Sequence, residues 1–480
     1  MVEPFTMEEI QQAHFEEQSI ILCVNSQGHE LRATPVRLMR HLVVFEVYNP
    51  FSILQLSEVL QEFQIIINQR VVYSGRAVVS NLVNTGIFLV CEASLEEGWL
   101  DVDLTRPLRE TGVLKSEFDH FITEYKKHDV VMPAFKLVVA DIQSFLIELR
   151  RWLEQLEFAV RSNPSGERHD QEVAIINQVM DPVLPMLNEH FIRFESVADS
   201  VEQALQPMHR SYVKRQLHPI VLCAPFSWRT YTKPLGYAGD YEMVNMMARA
   251  PYEGSSLFAK ILNTFFLKTP PVVAHRNRIQ YLKENLTREI WTIAKQGRKA
   301  RIFNLGCGPA IELQQLLENE VADHAEILLL DFNEETLRSV QQIFGDLVKQ
   351  HERTTEIRTQ LKSVHQILKE AGKAASIFAH DQYDVVYCAG LFDYLSDRIC
   401  KRLTRIFYDI LAPGGLMITT NVHSDNPSRH WMEFVVDWHL VYRDDRSFLE
   451  LTPHQVPKEC VKLEHDSTGV NVFNATRKPQ

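Results

Sequence analysis

The spacing of apolar residues changes twice along the chain. Up to about residue 110, short β-branched runs (Ser19–Val24, Glu30–Val36, His41–Val47, Phe63–Ile67, Val71–Val79, Gly86–Cys91) are separated by turn-forming residues. Short strands at near-regular spacing predict a small barrel or sandwich. From about Val113 to Leu217 the period becomes helical. Phe135, Val138, Val139, Ile142, Leu146, Leu149, Trp152, Leu153 and Leu156 make one stripe; Ile175, Ile176, Val179, Val183, Leu187 and Phe191 make a second. The polar run Arg161–Arg168 reads as a turn between two helices. These stripes are packing faces, and a helical pair of this length also offers a dimer surface. Beyond about Arg301, strand-length apolar runs alternate with helical patterns, which predicts a parallel α/β sheet.

The segment Arg301–Ala310 organises that last region. Ile302, Phe303 and Leu305 form a buried-strand pattern; Gly306 and Gly308 follow, and a helix opens at Ile311. Strand, glycine turn and helix in that order are the first unit of a nucleotide-binding sheet. A Cβ at those glycines would keep a ligand from the backbone and disfavour the turn. A second strand, Ile327–Asp331, ends in an acid placed to accept both hydroxyls of a ribose. Glu356–Leu361 reads as the third strand, with a helix-like insert to about His380 blurring its end. Tyr383–Gly390 reads as a fourth strand. Leu411–Gly415 reads as a turn leading into a fifth, Leu416–Asn421.

The Tyr-Asp-Val-Val opening at Tyr383 and the Pro-Gly-Gly at Pro413 resemble the class I S-adenosylmethionine-dependent methyltransferases from about Arg301 to Gln480. The match departs at Asn304, where that family usually has an acid, and at Ala310, where it has a third glycine. Lys233–Asp240, Arg276-Asn-Arg278 and Thr468–Phe473 add a narrower resemblance, to bacterial methyltransferases that make hydroxy-fatty-acid methyl esters as quorum-sensing signals. The N-terminal layout resembles a PilZ-type barrel, a module that in many bacteria binds cyclic di-GMP. Arg32, Arg37 and Arg40 have the wrong spacing for that ligand, and Leu56–Leu60 lacks the glycine, so a degenerate, structural or interaction barrel is expected.

The resemblance implies S-adenosyl-L-methionine as cofactor and assigns expected roles. Asn304, Gly306, Cys307 and Gly308 pass close to its amino-acid portion, Asp331 takes the ribose, and Phe332, Ser363 and Val364 flank the adenine. Ala389 and Gly390 come from the fourth strand. The aromatic segment Pro225–Asp240, with Tyr237, Gly239 and Asp240, is expected to be a lid. His275, Arg276 and Arg278 are either surface charges or face the methionine carboxylate. Asn421, His423, Arg429, His430 and Trp431 are expected to hold the acceptor, on a loop leading to a helix through Phe434–Tyr442. His423, Tyr394 and Arg229 are the candidate catalytic residues. A carboxylate acceptor is already ionised and needs no base; a hydroxyl or amine would need one, and His423 is then the candidate.

Composition narrows the partners. The formal net charge of −12 argues against a nucleic-acid backbone. There is no apolar run of spanning length and no signal pattern at Met1–Phe5. Seven cysteines, none in a Cys-x-x-Cys pair, read as reduced thiols of a cytoplasmic protein without a metal site. The expected organisation is multidomain: a PilZ-like β-barrel (1–110), a helical region (111–220), a lid and connector (221–298) and a doubly wound, Rossmann-like methyltransferase domain (299–480). Its substrate is expected to be a small molecule or fatty acyl chain.

Overall fold

The computed structural model describes residues 19–39, 41–48, 54–67, 70–84, 88–96, 131–161, 168–370 and 382–480. The interior of the expected polar turn (162–167), Arg40, the start of the helical region near Val113 and the insert at 371–381 lie outside them. In chain order come β1 (Ser19–Val24), β2 (Glu30–Met39), β3 (Leu42–Tyr48), β4 (Val59–Ile67), β5 (Arg70–Asn84) and β6 (Phe88–Leu95). Helices α1 (Pro133–Arg161), α2 (Arg168–Asp199), α3 (Gln206–Val221), α4 (Pro225–Thr232), α5 (Tyr241–Ala248), α6 (Leu257–Phe266) and α7 (Pro270–Ala294) follow. The remainder alternates: β7 (Ala300–Leu305), α8 (Ile311–Leu317), β8 (Ala325–Asp331), α9 (Glu334–Gln350), β9 (Glu356–Leu361), α10 (Val364–Glu370), β10 (Tyr383–Cys388), α11 (Asp397–Ile410) and β11 (Leu411–Val422). It ends with α12 (Arg429–Val435), α13 (Asp445–Leu449), β12 (Val461–His465) and β13 (Asn471–Arg477). No helix among the described residues is long and apolar enough to cross a membrane.

Internal contacts divide the chain into two units whose boundaries interleave. The first is Met1–Ala238, Tyr252–Asn263 and Arg429–His439; the second is Gly239–Pro251, Thr264–Ser428 and Leu440–Gln480.

The first unit contains a closed six-stranded barrel, order β1-β2-β3-β6-β5-β4, filled by Ile21, Phe45, Phe63, Ile65 and Cys91. Closure leaves no free sheet edge. Its helices bury the predicted stripes, with one correction. Trp152 is 52% exposed while Leu153 is fully buried: adjacent helical residues point about 100° apart, and Trp152 falls outside the buried arc. The aromatic segment Pro225–Asp240 is partly helical. It begins with α4, which has proline at its first turn and ends at Lys233 in the left-handed conformation. The helix expected through Tyr442 stops at Val435. Asp437 has φ +49° and cannot continue it; its buried carboxylate instead takes Lys214 Nζ at 3.0 Å. Burial alone would raise that carboxyl, but Lys214, Lys233 and Arg76 overcome it and hold it well below the usual carboxylate range.

The second unit is a seven-stranded sheet, order β12-β13-β11-β10-β7-β8-β9, with antiparallel β13 between β11 and β12 and all other pairs from β11 to β9 parallel. Helices cover both faces over two apolar clusters. One surrounds Ile302, Leu329, Val385 and Tyr387; the other surrounds Phe303, Leu330, Val386 and Phe407. The expected Leu411–Gly415 turn is already part of β11, since Leu411 pairs with Tyr383 before the register shifts. Strand order reverses between β7 and β10: β8 and β9 follow on one side of β7, β10 and β11 on the other, making the switch point where open α/β sheets bind ligands at their carboxyl ends.

Candidate active site

At the end of β7 the glycine loop turns with φ +68° at Gly306 and +52° at Gly308. The Gly306 and Cys307 amides donate to the Leu330 carbonyl at 2.8 and 3.1 Å, pinning the loop to the tip of β8. The Gly308 amide donates to Asp331 Oδ2 at 3.0 Å, and the Asn333 amide to Asp331 Oδ1 at 3.0 Å. Burial raises the Asp331 carboxyl, while the amides of Asn333, Gly308 and Phe332 oppose the rise. Asp331 Oδ2 also takes the Cys307 thiol at 4.0 Å. A Cβ built on Gly308 meets nothing within 4 Å, so its backbone faces open space. Beneath the loop the Asn304 Oδ1 is buried without a hydrogen-bond partner, and Tyr387 Oη donates to the buried Glu312 at 2.7 Å. Phe332 follows the acid. Ser363 and Val364 follow β9 beside it, where the Lys362 amide donates to the Asp331 carbonyl at 2.8 Å.

Across the switch point, Ala389 and Gly390 leave β10. Gly390 has φ +86°, and its amide donates to Thr420 Oγ1 at 3.0 Å. A Cβ there would lie 2.9 Å from Arg278 Nη1, so the guanidinium rests on bare backbone. Arg278 bonds His275 Nδ1 at 2.8 Å, and among the described residues it has no carboxylate at ion-pair distance. Burial disfavours its charge, and Asp393 and Glu312 offset this only from a distance. His275 is held neutral, first by burial and then by Arg278 and Arg276. Arg278 thus lies against the Gly390 backbone, whereas Arg276 donates to the carbonyls of Met247 and Leu267.

The motif near the C-terminus explains how α7 is aimed. Asn277 donates to Asp466 at 2.8 Å, Asn471 donates to the Ala274 carbonyl at 2.9 Å, and Tyr281 stacks on Phe473 at 4.0 Å. One face of α7 is thereby fixed to the β12–β13 hairpin, which turns Arg278 toward Gly390.

Residues Gly239–Pro251 bridge the crevice within the second unit. Asp240 caps α5 by accepting the Met243 amide at 2.8 Å. The Tyr394 hydroxyl lies 2.8 Å from where a Gly239 Cβ would be, and Tyr241 Oη donates to Glu335, just past β8, at 2.9 Å. This segment therefore touches both sides of the switch point. Tyr237 and Arg229 fall in the first unit.

The loop after β11 is likewise divided. Asn421 and His423 lie in the second unit, and Arg429, His430 and Trp431 in the first. Asn421 is fully buried, donating to the Val441 carbonyl at 2.9 Å and accepting from Arg443 at 2.5 Å. Glu195 accepts from both His430 nitrogens of backbone and ring, and Trp431 packs on Phe191 at 4.2 Å. His423 Nδ1 accepts the Asp425 amide at 3.2 Å. Its Nε2 lies 3.5 Å from Asp445.

Residues 303–417 match the family model described as a methyltransferase domain. With the strand order, glycine loop and strand-tip acid above, the chain carries a class I, S-adenosylmethionine-dependent methyltransferase domain. Similar solved structures include a protein of Bordetella parapertussis described as a possible exported protein (15% identity, 66% of this chain and 100% of that one, TM-score 0.40). Others are the N-methyltransferase NodS of Bradyrhizobium japonicum with S-adenosyl-L-homocysteine (14%, 52% and 100%, 0.30) and magnesium protoporphyrin IX methyltransferase of Synechocystis PCC 6803 (9%, 43% and 84%, 0.31). No curated protein matches the sequence.

Proposed function

We propose that the enzyme methylates the carboxylate of a hydroxy fatty acid or similar small acyl substrate, giving a methyl ester. The observation that carries the cofactor's placement is the desolvated Arg278, with no carboxylate at ion-pair distance among the described residues, lying on the bare Gly390 backbone at the end of the strand beside the one that leads to Gly308. S-adenosylmethionine, when bound, supplies an electrophilic methyl group. Asp331 is proposed to accept the ribose hydroxyls and Arg278 the amino-acid carboxylate, with Gly306, Cys307, Gly308, Ala389 and Gly390 giving close backbone approach. Asn304, with its unpartnered Oδ1, is proposed to accept from the amino group. Phe332, Ser363 and Val364 are proposed at the adenine, and Tyr237, Gly239 and Asp240 at the lid. The displacement needs alignment and exclusion of water more than proton transfer, and a carboxylate arrives ionised. The buried residues of α5, Met243, Met246 and Met247, support an apolar acceptor, because methionine adapts to irregular acyl shapes. Tyr394 is proposed to position that acceptor. His423, held by Asp425 and Asp445, is proposed to orient its loop rather than to take a proton.

We also infer a cytoplasmic bacterial signal synthase, dimeric through the helices, whose exposed Leu137, Trp152, Phe158 and Ile192 support an interface. The barrel is inferred to be PilZ-like without cyclic di-GMP. In support, the turn at Leu56–Leu60 is closed internally: Glu58 accepts from Ser26 and Gln55, and Ser57 exchanges hydrogen bonds with His439. The test is incubation with labelled S-adenosylmethionine and a host lipid extract, followed by mass spectrometry. Methyl esters of fatty acids are expected. Label on protein carboxylates would replace the acyl reading, and cofactor binding without turnover would favour a regulatory protein.

A further inference from the structure

Three side chains from separate elements meet at the carboxyl edge of the sheet, beyond β11. His423 follows β11, Asp445 opens α13 and His465 ends β12. β12 runs parallel to β11, because each is antiparallel to β13, so both histidines emerge at the same edge. His465 Nε2 lies 2.8 Å from Asp445 Oδ1, His423 Nε2 lies 3.5 Å from it, and the three donor atoms fall within 4.8 Å of one another. Ligands of a tetrahedral ion with bonds of about 2.0–2.1 Å stand roughly 3.3 Å apart.

We propose that His423, Asp445 and His465 form a binding site for one divalent ion of the zinc class. Two imidazole nitrogens and one carboxylate oxygen are a borderline-soft donor set that suits Zn²⁺ and Co²⁺ better than Mg²⁺ or Ca²⁺. His465 and Asp445 are exposed, which gives an entry path and leaves a coordination position open to solvent. A supporting group is also present. The Asp425 amide donates to His423 Nδ1, so without an ion the ring proton sits on Nε2, facing Asp445. Metal capture at Nε2 shifts that proton to Nδ1, which gives up the Asp425 amide and donates to the Asp425 carboxylate, 3.7 Å away. The absence of cysteine pairs in the sequence does not bear on such a site, because its ligands are far apart along the chain. An ion here ties the loop after β11 to the β12 edge, fixing the start of the segment proposed to meet the acceptor.

The test uses the full-length, untagged protein, dialysed against chelator and titrated with Zn²⁺ by calorimetry and with Co²⁺ by visible absorption. One ion per chain is expected, with cobalt bands of a low-symmetry nitrogen–oxygen site. His465→Ala and Asp445→Asn should each weaken binding at least about tenfold, with circular dichroism unchanged because both positions are exposed. Absence of one-to-one binding, or equal affinity in the double variant, would overturn the site and leave the cluster a set of surface hydrogen bonds. This readout is independent of methyl transfer.

Discussion

Arg278→Met separates a ligand-binding cation from a structural one. Methionine keeps most of the aliphatic bulk and removes the charge. In the free protein the substitution deletes the bond to His275 Nδ1, at a cost of about 1 kcal/mol. It also removes a desolvated guanidinium that has no ion pair among the described residues, a relief of comparable size or larger. The two effects oppose each other, so the melting temperature should stay within a few degrees of wild type; about 1 kcal/mol corresponds to roughly 2–4 °C in a domain of this size. Affinity for S-adenosylmethionine should respond differently. A hydrogen bond to a charged group contributes about 1.5–3 kcal/mol, so the dissociation constant should rise about 10- to 100-fold. Calorimetric titration with S-adenosylmethionine and differential scanning calorimetry measure the two quantities on one preparation. Wild-type affinity in the variant would refute the assignment. A melting temperature lowered by ten degrees or more would make Arg278 a strut of the fold.

Gly390→Ala places a methyl group against Arg278 at a residue with φ +86°. Strain of about 1–3 kcal/mol should appear as a lower melting temperature together with weaker cofactor binding. Asp331→Ala should abolish cofactor binding by calorimetry; the fold should survive the loss of two amide bonds, and unchanged affinity would place the ribose elsewhere. Asp393, buried and accepting the Val422 amide at 2.7 Å, has its carboxyl pushed up to about 6 by burial, against the pull of Arg278 and Arg443. Between its unfolded value and about 6 the folded protein holds the extra proton. Asp393 therefore makes stability fall as pH rises through that window and contributes no further change above it. Asp393→Asn should flatten this slope in urea midpoints measured from pH 4 to 7; an unaltered slope would assign it to another group.

Much of this architecture was legible because its causes are local. Six β-branched runs became six barrel strands, and Ser19–Val24 and Glu356–Leu361 appear with the predicted bounds. A turn needing φ above zero demanded Gly306 and Gly308, and an acid at the end of an apolar run could only be Asp331. Where neighbours distant in sequence compete, the pattern misled. Phe434–Tyr442 is apolar enough for a helix, but Asp437 turns away to meet Lys214, an ion pair that no periodicity encodes.

Local preference thus set where strands, helices and tight turns fall, since those depend on residues a few positions apart. Tertiary packing alone decided which charges lost their water. Arg276 and Arg278 are two residues apart and chemically identical, yet docking of α7 on the β12–β13 hairpin sends one to backbone carbonyls and the other over Gly390. It also brought donor atoms of His423, Asp445 and His465 within 4.8 Å of one another, because distances across a sheet edge are fixed by strand order and not by spacing along the chain.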